Sequence, residues 1–183
     1  MTKDLLAEKT RGLKDVHADT SQYLTFALGG EVYAMSIEHV REIIEFDGLT
    51  TVPMMPSFLR GVINLRGAVV PVIDLNERFG RDRTEIGRRT CVVIMEIEQN
   101  GEASNLGVMV DAVNEVVEVE RSRLEARPSF GTDLRQDFIE GILDLGGHFL
   151  VVLEVRQVLS VNELSSLIDA GSVLRTSLVE EEV

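Results

Sequence analysis

Short apolar runs broken by glycine and proline dominate this chain, and their spacing predicts strands rather than long helices. Gln22 to Leu28 and Glu31 to Met35 are apolar and rich in strand formers, and Gly29-Gly30 stands between them. A glycine pair reaches positive φ freely, so the two runs predict a hairpin with a two-residue turn. Ser36 is placed to cap a short helical turn through Val40, and Glu42 to Phe46 either prolongs that helix or forms a third strand; periodicity does not decide, and the strand is favoured. Pro53 and Pro56 interrupt regular structure ahead of a second hairpin, Gly61 to Ile73. A helical stretch, Asp74 to Phe79, then stops at Gly80.

The same programme runs twice. Phe58 to Leu75 matches Phe138 to Val155 without a gap at an offset of 80 residues, pairing Phe58 with Phe138, Gly61 with Gly141, Gly67 with Gly147 and Asp74 with Glu154. Before it, Cys91 to Glu98, the turn signal Asn100-Gly101 and Leu106 to Val110 repeat the opening hairpin, and Val113 to Glu118 echoes Val40 to Glu45 at an offset of 73. The difference between the offsets places an insertion in the Arg121 to Asp137 loop. Such a unit cannot bury its own apolar face, so two copies predict two small β-barrels related by a pseudo-twofold. The expected divisions are an N-terminal arm at 1–20, a first barrel at about 21–80, a second at about 90–160, and a C-terminal helix with an acidic tail at 161–183. Whether strands are exchanged between the barrels is left open. The C-terminal helix is expected from the capping box Ser160-Val161-Asn162-Glu163 and from Leu164, Leu167 and Ile168 on one face.

Composition narrows the function. A formal net charge of −13 over 183 residues repels phosphate backbones, and an aromatic share of 5% offers few bases a stacking surface, so nucleic acid is disfavoured as a partner, with one basic patch as the feature that speaks for an SH3-like RNA binder. No apolar stretch approaches the ~20 residues of a membrane span, and the first residues lack a signal-peptide core. The single Cys91 sits in an apolar run, which fits a reducing compartment, and the cytoplasm is the expected location.

Candidate chemistry is sparse. His17, His39 and His148 have no Cys or His at ligand spacing, so no metal site is expected, and the glycine pairs lack the lysine and helix that cradle phosphate. No catalytic residue and no cofactor is expected. Glu42, Glu45, Glu115 and Glu118 read as solvated strand edges. Met54 and Met55, between prolines, read equally as core caps or as an adaptable surface.

The two repeats differ where function can hide. Arg60 stands against Glu140, Asn64 against Asp144, Arg66 against Gly146 and Pro71 against Val151. Pro71 predicts an edge strand, because its missing N–H is tolerated only where no neighbour needs it. An arginine at the end of an edge hairpin, beside Asn64, Val62 and Val69, suggests a docking surface; the alternative is a plain solvated turn.

Gly61-Val62-Ile63-Asn64-Leu65-Arg66-Gly67 followed by Val70-Pro71-Val72-Ile73-Asp74-Leu75 closely resembles the signature of the bacterial chemotaxis coupling proteins, the CheW family, and the likeness runs from about Tyr23 to Leu159. The resemblance implies a mainly β fold of two SH3-like five-stranded barrels with an apolar core between them. It also implies a non-catalytic adaptor in the cytoplasm, recruited to membrane receptor arrays. There it would join the cytoplasmic tip of a methyl-accepting chemotaxis receptor to the regulatory domain of the histidine kinase CheA. By that resemblance Val40, Glu42 and Arg66 are receptor-binding, while Asn64, Val69, Arg127 and Phe130 are kinase-binding. The Arg127-Pro128-Ser129-Phe130 loop is more tightly spaced than the family's. A small-ligand barrel or a hydrolase built on the carboxylates is the alternative from another class.

Overall fold

A computed structural model describes residues 19–99, 101–127 and 135–159. Most of the predicted arm and the predicted C-terminal helix lie outside these residues. The predicted elements form as hairpins. β1 (Thr20–Leu28) and β2 (Glu31–Ser36) flank Gly29-Gly30, both at positive φ. A 3-10 turn, Ile37–His39, follows, with the Ser36 hydroxyl accepting from the Glu38 N–H. Then come β3 (Val40–Glu45), β4 (Leu59–Leu65), β5 (Ala68–Asp74) and the single-turn helix α1 (Leu75–Arg78), whose first turn is capped by the Asp74 carboxylate. The second half supplies β6 (Cys91–Gln99), β7 (Glu102–Val110), β8 (Ala112–Glu120), the two-residue β9 (Leu124–Glu125), β10 (Ile139–Asp144), β11 (Phe149–Leu153) and α2 (Val155–Val158).

The strands make two sheets, ordered β8-β1-β2-β11-β10-β9 and β3-β6-β7-β5-β4. Each half therefore gives its opening hairpin to the other half's sheet: β1 and β2 join β8 and the second repeat hairpin, while β6 and β7 join β3 and the first. The junction is parallel in both cases, β11 against β2 and β5 against β7. One sheet departs from the expected five strands because β9 adds a short sixth, paired to Ile142 and Leu143. Its counterpart in the other sheet is a single bridge between Thr50 and Val62.

Period-two alternation explains why the strands read as continuous apolar runs: both of their faces are buried. Tyr23, Ala34, Leu143 and Val152 fill the six-stranded sheet, and Val70, Val72, Val92, Ile94 and Met109 fill the five-stranded one. Their chain neighbours Leu24, Met35, Ile73, Val93, Met95 and Leu153 point the other way, into one large core shared by both sheets. Gly61 and Gly141 are required by close approach, since a methyl group at either would run into backbone, at Thr50 and Glu125 respectively.

Repeat-related residues make matching contacts. The Asp74 N–H donates to the Phe58 carbonyl at 2.7 Å, and the Glu154 N–H donates to the Phe138 carbonyl at 2.8 Å. Arg78 lies between the repeat mates, 5.2 Å from the Phe58 ring and 4.9 Å from the Phe138 ring, and donates to the Val158 carbonyl. One expectation fails: β5 is not an edge strand, because it runs between β4 and β7. Pro71 is tolerated for a different reason, namely that the ladder to β7 begins one residue later, at Val72.

Candidate functional site

β3 and β4 are the two ends of the five-stranded sheet, and Glu42 and Arg66 bring them together. Arg66 donates from both terminal guanidinium nitrogens to the two carboxylate oxygens of Glu42, at 3.0 and 2.9 Å. This fork-on-fork geometry fixes direction as well as distance. The arginine side chain is 77% exposed and the glutamate side chain 27%, so the pair is presented on the surface rather than sealed inside.

The turn that carries Arg66 is unusual for its residue type. Leu65 pairs with Ala68, and both residues between them have positive φ, 51° at Arg66 and 87° at Gly67. That is the type I′ geometry of two-residue hairpins, whose first central position favours Asn, Asp or Gly. The second repeat obeys the preference, with Gly146 at φ 77° and Gly147 at 102°. At Arg66 the side chain is therefore held against a backbone penalty of about 1 kcal/mol. The Asn64 side-chain oxygen accepts the Gly67 N–H at 2.8 Å and locks the turn.

The contacts join four of the sequence-derived residues into one surface. Glu42 bonds Arg66, Asn64 bonds the Arg66 turn, and Val69, 55% exposed, is the cross-strand partner of Asn64. Val40 lies on the same strand as Glu42, beyond a bulge at Arg41, and its side chain packs against the shared core. Beside this seam runs a groove of about 490 Å³ bordered by Ile44, Phe46, Leu49, Val62 and Ile63 together with the polar Glu45, Asp47, Thr50 and Asn64.

Arg127 belongs elsewhere. It follows β9, donates to the Gln136 carbonyl at 2.8 Å, and borders a second groove with Glu140 and Glu154. Phe130 lies outside the described residues. Burial first, then the nearby charges of Glu154 and Glu38, push the Glu140 carboxyl above its ordinary value.

The repeat mates of those two acids do something different, which sequence reasoning missed. Asp74 is fully buried and accepts from Arg60 at 2.9 Å, from the Thr84 N–H at 2.9 Å, from the Thr84 hydroxyl at 2.7 Å and from the Asn76 N–H at 3.0 Å. This network pins the polar stretch after α1 against the end of β5 in the five-stranded sheet. The substitution of Glu140 for Arg60 in the second repeat was the available signal.

Three comparisons bear on what this surface belongs to. Residues 22–163 match the family model of the CheW-like domain. The chain is 31% identical over 144 residues to the chemotaxis protein CheW of Klebsiella aerogenes, covering 79% of this chain and 84% of that protein. It is 32% identical to the chemotaxis protein CheW of Bacillus subtilis, covering 79% and 90%. Its structure resembles that of the scaffolding protein TtCheW from Thermoanaerobacter tengcongensis with a TM-score of 0.68 at 32% identity, covering 78% of this chain and 94% of that one. The expected mainly β fold agrees with that structure, and these relatives are named as chemotaxis and scaffolding proteins, not as enzymes. The repeat, the shared core and the matched span lead to one conclusion: this chain belongs to the CheW family of non-enzymatic chemotaxis scaffolding proteins.

Proposed function

We propose that the chain is a non-catalytic adaptor that couples methyl-accepting chemotaxis receptors to the histidine kinase CheA within a signalling array. The observation that carries this reading is the exposed Glu42–Arg66 pair, held on a strained turn beside the exposed Val69 side chain and a groove of mixed polar and apolar lining. A solvated turn has no need of an arginine there, whereas a docking surface gains a rigid five-donor group next to apolar area.

In this reading the cytoplasmic tip of the receptor docks against Val40, Glu42 and Arg66. The regulatory domain of CheA meets the hairpin of Asn64 and Val69 on one side and the loop of Arg127 and Phe130 on the other. The adaptor works from the cytoplasm, brought to the membrane only through the receptor; among the described residues no helix is long and apolar enough to cross a membrane. Each contact is individually modest. Two linked contacts repeated across an array raise apparent affinity through effective concentration.

The reading is tested by capture of the purified chain on an immobilised receptor signalling fragment and, separately, on the CheA regulatory domain. Wild-type chain is retained on both, and Arg66→Ala is retained at least about tenfold less well on the receptor fragment, as expected for an interface arginine. Equal retention of the two proteins contradicts the assignment of Arg66, and retention of neither on either resin contradicts the adaptor reading.

A further inference from the structure

We infer that Asn64 serves receptor docking indirectly, as the positioning residue for Arg66, whatever its hairpin does towards the kinase; this rests on the adaptor reading above and specifies how the receptor-facing surface is held in shape. Two features keep the Arg66 side chain aimed at the seam. One is the paired contact to Glu42, and the other is the bond from the Gly67 N–H to the Asn64 side-chain oxygen. That oxygen sits inside its own turn and is spent on the backbone. Arg66 occupies a φ of 51° that a non-glycine residue adopts reluctantly, so a turn without the lock has nearby backbone states that aim the guanidinium elsewhere.

The second repeat supplies an internal control. Asp144, the repeat mate of Asn64, places one carboxylate oxygen 3.1 Å from both the Gly146 and Gly147 N–H groups. There the turn carries glycine at the arginine's position, and the side-chain lock is present all the same. The lock thus belongs to the turn, and an acid performs it as well as an amide. A direct contact made through the amide's N–H donors would be lost in aspartate, which has none.

The experiment compares Asn64→Ala and Asn64→Asp with wild type, each alone and combined with Arg66→Ala. Asn64→Ala is expected to weaken receptor-fragment binding about three- to tenfold. Asn64→Asp is expected to restore it, and Asn64→Ala is expected to have no further effect once Arg66 is alanine. Loss of binding in Asn64→Asp, or an undiminished Asn64→Ala effect in the Arg66→Ala background, overturns the inference in favour of direct contact. A readout on the free chain keeps the question apart from the adaptor reading. Amide exchange at Gly67 should rise in Asn64→Ala but not in Asn64→Asp, and the Arg66 Nε resonance should shift with it. Unchanged exchange and resonance in Asn64→Ala overturn the inference even if wild-type chain binds no partner at all.

Discussion

The Glu42 carboxylate on β3 accepts both arms of the Arg66 guanidinium from the turn after β4, although these two strands stand at opposite ends of their sheet. The pair therefore closes a barrel seam and presents a fixed cation at the same place. Its contribution to stability is small. An exposed ion pair contributes about 0–1 kcal/mol, and the left-handed backbone at Arg66 costs about as much.

Arg66→Gly consequently separates folding from docking. Glycine is the residue the equivalent second turn uses, at φ 77°. Urea unfolding should place the variant within about 1 kcal/mol of wild type, while capture on the receptor fragment is lost. A large loss of stability would show that the pair holds the barrel together rather than presenting a surface.

Asp74→Ala should be among the most damaging single changes. It leaves the nearly buried Arg60 guanidinium and three further donors facing a vacated site. Breaking a buried ion pair from one side costs about 3–5 kcal/mol. The midpoint of chemical denaturation checks this, and a shift below about 1 kcal/mol would mean that the network is dispensable.

Gly141→Ala tests the close approach of β9. A methyl group there meets the Glu125 carbonyl and the Leu124 side chain, so strand pairing must give way. Overpacking of this kind costs about 1–3 kcal/mol. Amide exchange at Ile142 and Leu143, the partners of β9, should rise more than exchange in the five-stranded sheet.

Glu140 should leave a mark on the pH dependence of stability. Its folded-state pKa is raised by burial, then by Glu154 and Glu38, so the folded chain binds its proton more tightly than the unfolded chain does. Between the unfolded and folded values stability falls as pH rises, and the ionised group remains a burden above them. Glu140→Gln should therefore raise the melting temperature at neutral pH, with the gain shrinking as pH drops through the carboxylate range. A gain that grows towards acid pH would contradict the sign.

Much of this architecture is legible in the residues, and the exceptions have physical reasons. The hairpin at Gly29-Gly30 and the repeat at an offset of 80 can be read because turn chemistry and apolar alternation are local. The exchange of opening hairpins cannot: Val72 pairs with Gly107 and Val152 with Ala34, and nothing within either strand names its partner. Pro71 signalled an edge because a proline reports a missing donor but not how far the neighbouring ladder extends. The Asp74 network was hidden because Thr84 lies in a stretch whose neighbours are polar, and only the fold buries it. Arg66 stood out from the start through its contrast with Gly146. Its partner Glu42 reads locally like any solvated strand carboxylate and is singled out only by the family resemblance, since the seam that joins the two exists only in the folded sheet.

The most direct test of the coupling account is CheA autophosphorylation measured in the presence of a receptor signalling fragment, with wild-type chain, Arg66→Gly or no added chain. The account predicts that wild type brings kinase to receptor and raises phosphorylation, while folded Arg66→Gly leaves it near the level without added chain. Equal stimulation by both proteins would contradict the role given to the Glu42–Arg66 seam, and no stimulation by folded wild-type chain would contradict coupling itself.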